Sequence, residues 1–414
     1  MNTLRHLIFL LATVSATAFP AAAQAPFRMV GDYECVAMDK AGLYFPGSDE
    51  GYDQVRTKLD TLLSGRSCDF TIWHVGGSHV QAGYLSHALR NNFSFLFPTA
   101  TRGVLFPFSL AGTNWNRSFD FGVNGEWTTC RNISAEPELD LGLTGFGART
   151  SDPQASFGLD MTKDTVKIWD FNCLRVLGYG SSADAFPVVE SRGVEYLPCR
   201  TDTVARCYDF ILPDKVDRAL IKFRIPQDGC FTFQGVIPSR GDHGISYYES
   251  GVNGASLPCW LRCRDLGRQL GLIRPDLAIL ALGINDSSMA SSAFDAEVFK
   301  ERYRTLISII REASPHCSLL FITNNDSYRY GGRRRAMVHN DNGVTVQKAM
   351  MELAREYSCP VWDLFAIMGG SGSVTAWRDE ELVGRDKLHF TKAGYQLLAD
   401  LLYNAMLEDY MAQF

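Results

Sequence analysis

Two blocks of strand–helix alternation, at opposite ends of the chain and separated by a long segment with no helical period, constrain this fold most. In the first block, Phe70 to Val75 is a continuous apolar, β-prone run. Asp49 to Leu63 before it and Val80 to Arg90 after it carry helical patterning. The second block starts near Tyr247. Leu277 to Leu282, Leu319 to Thr323 and Val361 to Phe365 read as strands. Phe299, Tyr303, Leu306 and Ile310 repeat at helical spacing between the first two, and Val346, Met350, Leu353 and Tyr357 do so between the last two. Thr391 is placed to cap a last helix carrying Leu398, Leu401, Leu402 and Ala405. Strands apolar on both faces and alternating with helices predict a parallel sheet covered on both sides.

The middle, about Trp115 to Gly244, holds short β-prone pieces: Thr165 to Trp169, Val204 to Ile211 and Ala219 to Ile225. Gly, Pro, Asn and Asp separate them, which predicts an inserted all-β sandwich. The expected organisation is a leader at 1–23, a first α/β part at 24–114, the β insertion at 115–244 and a second α/β part at 245–414. The expected class is α/β, a flavodoxin-like three-layer sandwich interrupted by the β unit.

Several classes are disfavoured. The formal net charge of −6 argues against a nucleic-acid partner. Leu7 to Ala18 is apolar, follows a short basic start and precedes Ala21-Ala22-Ala23, as in a secretory leader cut before Gln24. No later run reaches the roughly 20 apolar residues of a membrane helix, so an exported protein with no integral span is expected, periplasmic in a Gram-negative source. The 11 cysteines show no metal-ligand spacing. Cys259 and Cys263 read as a structural pair, possible as a disulfide. No metal or organic cofactor is expected, and a monomer is the default.

The chemistry is read from four short segments. Gly76-Gly77-Ser78 joins the first strand to its helix, where a serine on a sharp turn can be exposed. Serine needs a base, and the base needs an orienting acid. Asp386-Lys387-Leu388-His389 supplies both before the last helix. The loops Gly251-Val252-Asn253-Gly254 and Gly283-Ile284-Asn285-Asp286 adjoin strands, where open α/β sheets bind ligands. Each residue also has a plainer role: Ser78 as helix cap, His389 as structural histidine, Asn285 as turn residue.

Together these segments resemble, in order, the blocks of the SGNH (GDSL-like) hydrolase superfamily. "VGGSHVQAG", "GVNGAS", "LGIND" and "DKLHFTKAGY" stand for its four motifs. The resemblance implies a nucleophile at Ser78, a triad completed by Asp386 and His389, and an oxyanion hole from the Ser78 and Gly254 N–H groups and the Asn285 amide. One position departs from it: the motif's aspartate before the serine is Gly77 here.

The chain also resembles the exported peptidoglycan O-acetylesterases, which carry a carbohydrate-binding-like β module after the first block. That implies an acetylated glycan, peptidoglycan first, as substrate. Asn114, Arg333 with its neighbours Arg334 and Arg335, and Trp377 are candidate substrate contacts. A lipase or thioesterase stays open, as does a glycan-binding protein whose site has decayed at Gly77. Hydrolysis and acetyl transfer use the same residues.

Overall fold

The computed structural model describes residues 26–167, 169–331 and 336–414. The expected leader at 1–23 and the candidate contact Arg333 lie outside them.

Five parallel strands form the centre, in the order Gly244–Gly251, Asp69–Gly76, Leu277–Ala281, Ser318–Ile322, Val361–Trp362. In chain order this is 2-1-3-4-5, the flavodoxin-like arrangement. Residues of Asp69–Gly76 alternate between two cores. Phe70 and Ile72 enter one with the helices Asp53–Leu63, Tyr84–Leu96 and Lys392–Met411. Trp73 and Val75 enter the other with Leu266–Ile273, Ala296–Ala313 and Gly343–Glu356. Two buried faces explain the uninterrupted apolar runs in the sequence.

The β insertion is built onto this sheet rather than beside it. Thr99–Thr101 lies parallel to Gly244–Gly251 and antiparallel to Phe231–Ser239. The strands Phe171–Gly180, Cys207–Val216 and Arg200–Asp202 then follow in the same sheet, which has 12 strands among the described residues. A separate five-stranded sheet packs against this extension. Phe157 and Phe233 meet with ring centroids 4.8 Å apart, and Phe223 and Phe231 at 5.0 Å. The outcome is a β sandwich that shares one sheet with the α/β layer.

Local departures from the sequence reading have clear causes. Thr165 to Lys167 and Trp169 lie in no strand; the Asp164 carboxylate accepts from the Val166 and Lys167 N–H groups and the Trp169 indole, holding a turn. The predicted Val80–Arg90 helix is two helices, Ser78–Gln81 and Tyr84–Leu96, broken at Gly83 with φ +73°. The last strand stops at Trp362 because Asp363 caps the helix Leu364–Ile367 through the Ala366 N–H. Cys259 and Cys263 are buried free thiols, not a disulfide. The Thr391 hydroxyl does accept from the Gly394 N–H at the start of the last helix.

Candidate active site

In a 2-1-3-4-5 sheet the connection reverses direction between strands 1 and 3, and loops leaving their C-terminal ends diverge to leave a crevice. Ser78 leaves the end of Asp69–Gly76 and Asn285 follows Leu277–Ala281. Gly254 follows the neighbouring strand Gly244–Gly251. His389 precedes the last helix, Lys392–Met411.

The structure brings Ser78, His389 and Asp386 into one hydrogen-bonded line. His389 Nδ1 lies 2.7 Å from Asp386 Oδ2, and His389 Nε2 lies 2.8 Å from Ser78 Oγ. Burial works to raise the Asp386 carboxyl, but hydrogen bonds from the His389 ring and the His389 and Leu388 N–H groups outweigh it. The carboxyl comes down to about 2. An ionised carboxylate only accepts, so Nδ1 of His389 donates to it. In the neutral ring Nε2 is then the acceptor for the Ser78 hydroxyl. That is the tautomer a general base requires.

The loop carrying Asp386 and His389 is pinned from several sides. Asp386 Oδ1 accepts from the Leu388 and His389 N–H groups, each at 3.1 Å. Gly384 N donates to the His389 carbonyl. The Asn325 amide donates to the Leu388 carbonyl at 3.0 Å, and Tyr328 N to that of Lys387 at 2.9 Å. Sequence reasoning did not find Asn325, because it precedes the triad loop by more than sixty positions.

Gly254 has φ +82°, and the space where its Cβ would lie is open. Glycine is there for its backbone, which turns the loop beside Ser78. The Asn285 amide donates to the Ala255 carbonyl at 2.9 Å, leaving its second N–H available. Asp286 does not enter the site: both its oxygens accept from the Leu257 N–H at the start of the helix Leu257–Leu261.

Of the further candidates, Asn114 is exposed at the rim, and its side-chain oxygen accepts from the Asn253 amide at 2.7 Å. Trp377 is a correction. It is 0% exposed, and its indole N–H donates to the carbonyls of Cys35 and Met368. A ring enclosed in core cannot present a face to a sugar. His79, next to the nucleophile, is half-buried, with its Nδ1 against the Tyr395 hydroxyl at 2.9 Å. Desolvation of the ring first, and the nearby His389 second, push it down to about 3.

Residues 232–397 match the model of the GDSL-like lipase/acylhydrolase family. That span includes Gly254, Asn285, Asp386 and His389 but not Ser78. A solved peptidoglycan O-acetylesterase superposes with a TM-score of 0.71 at 19% identity, covering 89% of this chain and 99% of that one. An acetyl xylan esterase, AlAXEase, covers 39% of this chain and 81% of its own, at 18% identity and TM-score 0.31. A carbohydrate esterase family 3 structure from Talaromyces cellulolyticus covers 40% and 72%, at 14% identity and TM-score 0.29. No curated protein sequence matches significantly. Residues 232–397 are thus similar to the GDSL-like lipase/acylhydrolase family, and the fold as a whole resembles that of a peptidoglycan O-acetylesterase.

Proposed function

We propose that this protein is an exported serine esterase that removes O-acetyl groups from a carbohydrate polymer, peptidoglycan being the first substrate to test. The observation that carries the reading is the continuous Ser78–His389–Asp386 hydrogen-bonded line at the C-terminal ends of the parallel strands. The Leu7 to Ala18 run supports export. The overall likeness to a peptidoglycan O-acetylesterase supports the substrate class.

In this reading His389 Nε2 takes the Ser78 proton as Oγ attacks the acetyl carbonyl carbon. Asp386 stabilises the imidazolium that forms. The Ser78 and Gly254 N–H groups and the Asn285 amide hold the developing oxyanion. The C–O bond to the sugar then breaks, and His389 returns the proton to the leaving sugar oxygen. Water, deprotonated by His389, attacks the acetyl-enzyme and releases acetate. A sugar hydroxyl in place of that water would give acetyl transfer. Tyr328–Gly331 pairs with Ala336–His339, and the Tyr328 N–H donates to the Lys387 carbonyl in the triad loop; Gly332 to Arg335 stand between those strands in sequence. Arg333, Arg334 and Arg335 are assigned to carboxylates of the polymer. Neutralising them should raise KM for polymer and not for a small ester, whereas equal effects would remove that assignment.

The test is release of p-nitrophenol from the acetate and from longer acyl esters by wild type and Ser78→Ala, followed by acetate release from O-acetylated peptidoglycan. Acetate-selective turnover lost in Ser78→Ala supports the reading. A preference for long chains would make it a lipase, and no turnover on any ester would overturn it.

A further inference from the structure

The side chain of Gln81 stands one turn after Ser78, is 4% exposed, and uses both ends of its amide. Its Oε1 accepts from the Asn253 N–H at 2.6 Å, on the residue immediately before Gly254. Its Nε2 donates to Thr113 Oγ1 at 2.7 Å and to the Asn114 carbonyl at 2.9 Å. The Asn253 side-chain amide closes the ring by donating to Thr113 Oγ1 and Asn114 Oδ1. Gly251 permits this approach, since a side chain there would run into the Gln81 backbone nitrogen.

We infer that Gln81 is a positioning residue that fixes the Gly254 N–H relative to Ser78 and ties both to the Thr113-Asn114 loop at the root of the β insertion. This rests on the esterase reading. Ser78 and Gly254 belong to different strand ends, and no other side chain described between them bonds both the loop before Gly254 and the insertion root. The donors of an oxyanion hole act only when already aimed at the developing charge. A displacement of about 1 Å costs on the order of 10²-fold in rate. Gln81 touches no substrate atom in this scheme. It acts through the Asn253 peptide, whose position sets the direction of the next N–H.

The experiment compares wild type, Ser78→Ala, Gln81→Ala and Gln81→Glu on p-nitrophenyl acetate. Gln81→Ala should lower kcat roughly 10- to 100-fold with KM within about threefold, because ground-state binding is left in place. Gln81→Glu keeps an acceptor for the Asn253 N–H but sets its second oxygen against the Asn114 carbonyl in place of a donor, and should lower kcat at least as much. Unchanged kcat in a folded Gln81→Ala protein, a loss carried by KM, or wild-type kcat in Gln81→Glu would each overturn the inference. Should Gln81→Ala not fold, Thr113→Val, which cuts the other side of the ring, should lower kcat in the same way, and no change there overturns it. An inactive wild type would sink the esterase reading alone. Amide hydrogen exchange then decides: Gln81→Ala should speed exchange over residues 252–255, and unchanged exchange rejects the clamp.

Discussion

The Asn285 side chain closes over the α-carbon of Gly77: a Cβ added to that glycine would stand 2.8 Å from Asn285 Nδ2 and 3.3 Å from the Ala255 carbonyl. The same Nδ2 donates to that carbonyl. The absence of a side chain before Ser78 is thus matched by an amide packed into the vacated space. A side chain at Gly77 and the present place of the Asn285 amide exclude one another. Restoring the motif's aspartate should do harm. Gly77→Asp and Gly77→Ala should each lower kcat on acetyl esters about 10- to 100-fold by displacing Asn285, with Ser78 still reactive toward a fluorophosphonate probe. Wild-type turnover in Gly77→Asp would show that the amide can move at no cost.

Removing the amide itself should cost more. Asn285→Ala is expected to lower kcat about 10²- to 10³-fold, the usual loss for one oxyanion donor. KM should change little, since the interaction matures only as charge develops. Steady-state kinetics on p-nitrophenyl acetate reads this directly, and a loss confined to KM would reassign Asn285 to ground-state binding.

Asp286 should make stability depend on pH. Burial is the main cause that pushes its carboxyl up to about 6, against the lowering effect of the Leu257 N–H. A carboxyl raised in the folded state contributes stability that is fully present below its unfolded value, near 4, and is lost as pH rises through the folded value. A rise of about two units corresponds to at most ~3 kcal/mol. Relative to Asp286→Asn, wild type should therefore weaken between about pH 4 and pH 7 and hold a constant difference above. Urea unfolding of both proteins across that range is the check, and a difference independent of pH would contradict it.

Trp377 tests core against surface. Because it is enclosed and its indole N–H bonds two carbonyls, Trp377→Ala should cost about 3–5 kcal/mol of stability. The fraction that stays folded should keep a wild-type KM for glycan. A folded variant of normal stability with weakened polymer binding would restore the stacking role.

Much of the site was legible in the chain because its pieces are local. Continuous apolar runs encode strands buried on both faces, and the Asp386–His389 spacing fits within one turn of loop. Glycines at 254 and 283 mark backbone conformations, φ +82° and +142°, that other residues rarely adopt. Tertiary structure alone decided what depends on distant partners. That Gln81 meets Asn253, that Asn325 holds the Leu388 carbonyl, and that Trp377 is walled in are facts of packing between elements far apart in sequence. The same holds for Gly77. From sequence it is a missing aspartate, and only the fold shows that the Asn285 amide, arriving from the neighbouring strand end, lies where its side chain would be. The insertion's attachment through Thr99–Thr101 was equally hidden, because a three-residue strand carries no period to read. Periodicity reports which face of an element is buried, but which element covers that face is set by the fold.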